Sequence, residues 1–123
     1  MSTSDKNEGK NRSTINFEVE MDENKVPESI KWAASDSTRP EPQACEAIMI
    51  SLWDKQAKEA LRIDLWTKDM QKDDMDMFIF QTIMTLSDTY TRANGDAEVA
   101  ELIKEMGYQF GEKTKLIERN KSE

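Results

Sequence analysis

The stretch Leu61 to Met77, LRIDLWTKDMQKDDMDM, decides how this chain is read. Leu61, Ile63 and Leu65 alternate with Arg62, Asp64 and Trp66, the two-residue period of a strand that presents one face to a core. The alternation breaks at Thr67-Lys68-Asp69. Beyond it an acidic lead, Asp69, Asp73, Asp74 and Asp76, runs into a long apolar segment at helical spacing. One break therefore joins a sheet to a helix, which predicts an α+β domain.

Working back toward the N-terminus, Ala44 to Trp53 carries apolar residues in both parities, Ile48, Ile50 and Leu52 against Ala47, Met49 and Trp53. The β-branched and aromatic content favours a strand, with a short helix over Ala44 to Met49 as the competing reading. Asp54 to Glu59 is the loop back to the strand of Leu61. Ile30, Trp32 and Ala34 alternate with Ser29, Lys31 and Ala33, behind Pro27, whose missing N–H is tolerable where a strand begins. Ile15, Phe17, Val19 and Met21 alternate with Asn16, Glu18 and Glu20, and Asp22 to Lys25 is the turn between these two strands. Ser35 to Gln43, with Pro40 and Pro42, is an exposed connection.

Working forward, Met75, Phe78, Ile79, Thr82, Leu86 and Tyr90 recur at helical spacing, and Asn94-Gly95 is a stop signal. Met77, Phe80 and Met84 form a second stripe to one side, more than a helix wet on half its surface needs. Asp96 can cap a second helix with the stripe Val99, Leu102, Ile103, Met106 and Phe110, which Gly107 and Gly111 weaken. The expected architecture is a four-stranded antiparallel meander followed by two C-terminal helices packed on one face. It occupies residues 14–117, between a disordered polar tail over 1–13 and a charged tail over 118–123.

The 123 residues fit one domain. A net charge of −8, from 17 basic and 25 acidic residues, disfavours nucleic acid and anionic lipid as general partners. Cys45 is alone and cannot form an internal disulfide. No export signal and no apolar run long enough to cross a bilayer are read, so the expected location is cytoplasmic and no membrane insertion is expected.

The chain has no histidine, which removes Ser/His and Cys/His catalysis in their usual forms and the commonest metal ligand. Cys45, beside Glu46, lacks the cationic neighbours that make a reactive thiolate. Asp69, Asp73, Asp74 and Asp76 lack the alternate spacing, central Gly and terminal Glu of a calcium loop, so helix-dipole compensation is favoured over a cation site. Asp64 reads as part of a solvated strand face, and the four glycines are too scattered to cradle a phosphate. No catalytic residue, cofactor or metal is expected. Protein binding is expected instead. If the third and fourth strands pair, Met49 and Trp53 share a face with Arg62 and Trp66, residue types enriched at interfaces. Met77, Phe80 and Met84 complete the candidate set, and a homo-oligomer is expected.

Three segments carry a family resemblance: Ile15 to Glu28 (INFEVEMDENKVPE), Ala47 to Asp54 (AIMISLWD) and above all Ile63 to Met70 (IDLWTKDM). Over about residues 14 to 116 the chain resembles the gliding motility protein GldC family of Bacteroidetes. That resemblance implies a small soluble accessory protein working beside other gliding machinery components, with no enzyme activity, cofactor or catalytic residue. Four strands followed by two helices in an acidic chain is also similar in outline to the export chaperone SecB. Without a shared motif this is a fold-level analogy, and it implies a second class of function, a holdase for unfolded clients.

Overall fold

The computed structural model describes residues 11–119. The element order is β1 (Ile15–Met21), β2 (Pro27–Ala34), β3 (Gln43–Cys45), β4 (Ala47–Asp54), β5 (Glu59–Trp66), α1 (Lys72–Asn94) and α2 (Ala97–Lys113). The chain divides into two compact units, through Met70 and from Gln71 onward. The disordered reading of residues 1–13 falls mostly outside the described residues, as do residues 120–123 of the charged tail.

The strand unit is antiparallel, but it is not one four-stranded meander. The strand expected over Ala44 to Trp53 is interrupted at Glu46, and its two halves pair on opposite sides. β3 pairs with β2 (Ile30 opposite Cys45, Trp32 opposite Gln43), while β4 pairs with β5 in register from Ala47–Trp66 to Asp54–Glu59. The result is a three-stranded sheet in the order β1-β2-β3 and a two-stranded sheet β4-β5. Past Ile30–Cys45 the β2 edge meets the chain after β5 instead of β4, the Pro27 carbonyl accepting from the Lys68 N–H.

The Thr67-Lys68 break stitches the two sheets together. The Thr67 N–H donates to the Glu46 carbonyl at 2.9 Å, across the interruption itself, and the Lys68 N–H donates to the Pro27 carbonyl at 3.0 Å. Thr67 is buried, and Ile30, at 1% exposure, is the one large aliphatic side chain fully enclosed among the described residues. Two tight turns close the hairpins. Asp22 Oδ1 accepts from the Asn24 and Val26 N–H groups, and Asp54 Oδ1 from those of Gln56 and Ala57, with Lys25 and Lys58 in the left-handed region at φ 64° and 60°.

In the helical unit, α1 stops at Gly95, which takes φ 84° and returns its N–H to the Thr91 carbonyl. Asp96 caps α2 by accepting from the Val99 N–H. The helices meet through small residues. Ala100, Gly107 and Gly111 are the buried positions of α2, and Ser87 of α1, also buried, donates to the Ala100 carbonyl at 2.7 Å. A Cβ at Gly107 would stand 2.5 Å from Met84 Sδ, and one at Gly111 would stand 2.8 Å from the Phe80 ring. The glycines read as weak points are therefore contact points, where absent side chains let the two helices approach.

Candidate protein-interaction surface

The β4–β5 register puts Met49, Trp53, Arg62 and Trp66 on one face, in the rows Ala47–Trp66, Met49–Asp64, Ser51–Arg62 and Trp53–Ala60. The two indoles stand at opposite ends of that face. Six residues separate Ala47 from Trp53 along β4, roughly 20 Å at strand rise. Both are well exposed, Trp53 at 66% and Trp66 at 53%.

A polar cluster occupies the middle. Arg62 donates to Ser51 Oγ from Nη1 at 2.6 Å and to Asp64 Oδ1 from Nη2 at 2.8 Å, with Nε 3.3 Å from Oδ2. Arg62 thus forms a two-pronged ion pair with Asp64. The face therefore offers two separated aromatic anchors around a closed polar pair. Trp66 also borders an open groove lined by Lys25, Val26, Pro27, Asp64, Leu65 and Lys68. Lys68 is engaged there, reaching Asp22 at 3.0 Å and Glu28 at 3.2 Å. Those two carboxylates raise the Lys68 pKa. The Asp22 carboxyl is held below its ordinary range, first by the Val26 N–H and then by Lys68.

The opposite face of the hairpin is more apolar than the one the sequence singled out. Its rows are Ile48–Leu65, Ile50–Ile63 and Leu52–Leu61, and Leu52, Leu61 and Ile63 are each about half exposed. Their two-residue period is plain in the sequence, where it predicts a face turned to a core.

In the helical unit, Met77 is exposed, whereas Phe80 and Met84 are partly covered by the close approach of α2 at Gly111 and Gly107. The stripe expected to seat α2 points elsewhere: Leu102 and Met106 are largely exposed, with only Ile103 and Phe110 half-buried. Beyond α2, Arg119 folds back onto it, pairing with Glu105 and Glu112 at 2.9 Å each and lying over the Tyr108 ring. That clamp is invisible to hydrophobic periodicity, because it is ionic and lies past the helix end.

The remaining candidates are placed as follows. Burial pushes the Cys45 thiol up, and Cys45 lies in β3 opposite Ile30. Asp73 and Asp74 sit in the first turn of α1, and Asp76 accepts from Lys72 at 2.7 Å. Among the described residues no group of three His, Cys, Asp or Glu side chains could hold a metal ion, and no helix is long and apolar enough to cross a membrane.

No curated protein and no solved structure matches the chain. The family described as gliding motility-associated protein GldC-like matches it over residues 27–116, a span that takes in Pro27, the Glu46 interruption, the Thr67-Lys68 stitch and both helices. The chain belongs to the GldC-like family of gliding motility-associated proteins.

Proposed function

We propose that the chain is a noncatalytic, cytoplasmic accessory protein of the gliding machinery that works by binding other polypeptides, its own copies included. The observation that carries this reading is an imbalance. Among the described residues Ile30 and Ala100 are the buried hydrophobic side chains, whereas fourteen large ones, from Ile15 to Met106, are well exposed. Monomeric soluble proteins rarely leave so much apolar surface without a use for it. The binding residues are Met49, Trp53, Arg62 and Trp66 on the β4–β5 hairpin and Met77, Phe80 and Met84 on α1. Trp53 and Trp66 act as the aromatic anchors, because exposed Trp beside Arg is the chemistry of interface hot spots.

The test is a pull-down from native cells with the wild-type chain and with Trp66→Ala. Loss of a wild-type partner in the variant, with the fold unchanged by circular dichroism, is the expected result. An identical set of captured proteins would remove Trp66 from the surface.

A further inference from the structure

Among the described residues β1 is an edge strand, and from Ile15 to Val19 it carries no proline and no bulge, the register shift lying beyond at Glu20/Met21. It lies outermost in the order β1-β2-β3, and its sequence INFEVEM contains no Pro, Gly or Lys. Its outward-facing hydrogen-bonding groups can be identified. The Thr14 carbonyl accepts from the Ser35 N–H at 3.0 Å and the Thr14 N–H donates to Ser35 Oγ, so the Thr14 backbone faces β2. In an antiparallel ladder such residues alternate, which aims Asn16, Glu18 and Glu20 at β2 and leaves the N–H and C=O of Ile15, Phe17 and Val19 directed outward. The apolar side chains belong to those same residues, with Ile15 65% and Phe17 42% exposed.

We infer that this edge pairs antiparallel with β1 of a second copy, with the two-fold axis at Phe17. The inference rests on the self-association reading above and names its surface. A second copy fits because the segment Ile15-Asn16-Phe17-Glu18-Val19 is nearly its own mirror, apolar and polar residues alternating about Phe17, as an isologous contact requires. Axis placement follows from charge. Centred on Phe17, Ile15 meets Val19, Phe17 meets Phe17, and Asn16 offers its amide to the Glu18 carboxylate, while Glu18 already faces Lys31 on β2. Centring on Glu18 sets two carboxylates directly opposite and draws in the register shift at Glu20/Met21. Centring on Asn16 opposes Val19 to Ser13 and wastes an apolar pair. In the Phe17 register the pairs Ile15–Val19 and Phe17–Phe17 each exchange two backbone hydrogen bonds, and the apolar faces of both sheets become continuous.

The test uses the full chain in a Cys45→Ser background. Phe17→Cys should oxidise to a covalent dimer, because facing residues lie within disulfide reach. Asn16→Cys and Glu18→Cys should cross-link roughly tenfold more slowly, their like positions lying beyond about 7 Å in this register. Dominant cross-linking at residue 16 or 18, or none at residue 17, overturns the proposal.

A contact this small is weak, so wild type is also run by sedimentation at on the order of 100 μM, where a dimer is expected. Ile15→Pro removes an outward N–H at a position 65% exposed and should give a folded monomer; a persisting dimer overturns the pairing. A wild-type monomer overturns it as well, and leaves the Trp66 pull-down to judge partner binding separately.

Discussion

The helical unit and the strand unit solve the burial problem in opposite ways. α1 and α2 bury almost no large side chain: they meet over Ser87, Ala100, Gly107 and Gly111, where the backbone itself comes into contact range. Among its described residues the strand unit encloses one large aliphatic residue, Ile30, and leaves Leu52, Leu61, Ile63 and two tryptophans exposed along a two-stranded hairpin. Isolated two-stranded hairpins are marginal in water. Close approach of small residues holds the helices together while Met77, Leu86, Leu102 and Met106 stay exposed, and the strands carry apolar surface whose burial requires more polypeptide than the strand unit supplies.

The largest expected effect tests the single enclosed aliphatic. Ile30→Ala removes a fully buried side chain from β2, where Val19 of β1 and Cys45 of β3 flank it, and should cost about 2–5 kcal/mol in denaturant unfolding. A loss below about 0.5 kcal/mol, the scale of an ordinary surface substitution, would show that the strand unit has no core of its own.

The second test separates two effects of opposite sign at the helix contact. Gly→Ala inside a helix gains up to about 1 kcal/mol in propensity, and overpacking costs about 1–3 kcal/mol. At Gly111 the added methyl would meet the Phe80 ring and Ile117, at 2.8 and 2.9 Å. A ring and a branched side chain yield poorly, so Gly111→Ala should be net destabilising by about 1–2 kcal/mol. At Gly107 the nearest atom is Met84 Sδ, on a side chain with rotatable bonds to spare, and Gly107→Ala should be close to neutral. Thermal unfolding of the two variants decides it: if Gly111→Ala is stabilising, the close approach is wrong.

This same contact shows where sequence reasoning stops. The period-two pattern placed β1, β2 and β5 because strand alternation depends only on neighbouring residues. Asn94-Gly95 and Asp96 marked the turn between the helices, because caps are local too. In α2, however, the stripe Val99, Leu102, Ile103, Met106 and Phe110 carries the apolar signal, and only Ile103 and Phe110 of it are half-buried, with Leu102 and Met106 largely exposed. The seating face is made of Ala and Gly, which carry almost no hydropathy. The division of the third strand at Glu46 was hidden because it depends on a distant pairing: the Glu46 carbonyl accepts from the Thr67 N–H, twenty-one residues on. For the binding surface, parity placed Met49, Trp53, Arg62 and Trp66 together, but the Arg62–Asp64 ion pair that splits the tryptophans follows from side-chain geometry.

The smallest expected effect concerns what holds the β1–β2 turn to the Thr67-Lys68 stitch. Asp22 accepts the Val26 and Asn24 N–H groups and pairs with Lys68, and these hold its carboxyl below the ordinary value of 3.8. A folded pKa below the unfolded one means the contribution is complete above about pH 4 and fades as pH falls through the lowered folded value. In Asp22→Asn the side-chain oxygen can still accept the turn N–H groups, but the charge facing Lys68 is gone. The stability gap between wild type and variant should therefore be constant at pH 6 to 8 and narrow below pH 4. Added salt should narrow it too, because Lys68 is half exposed and exposed pairs are screened. Urea unfolding across that range checks both. A gap independent of pH would assign the whole effect to turn geometry, and the Asp22–Lys68 pair would then have no part in joining the turn to the stitch.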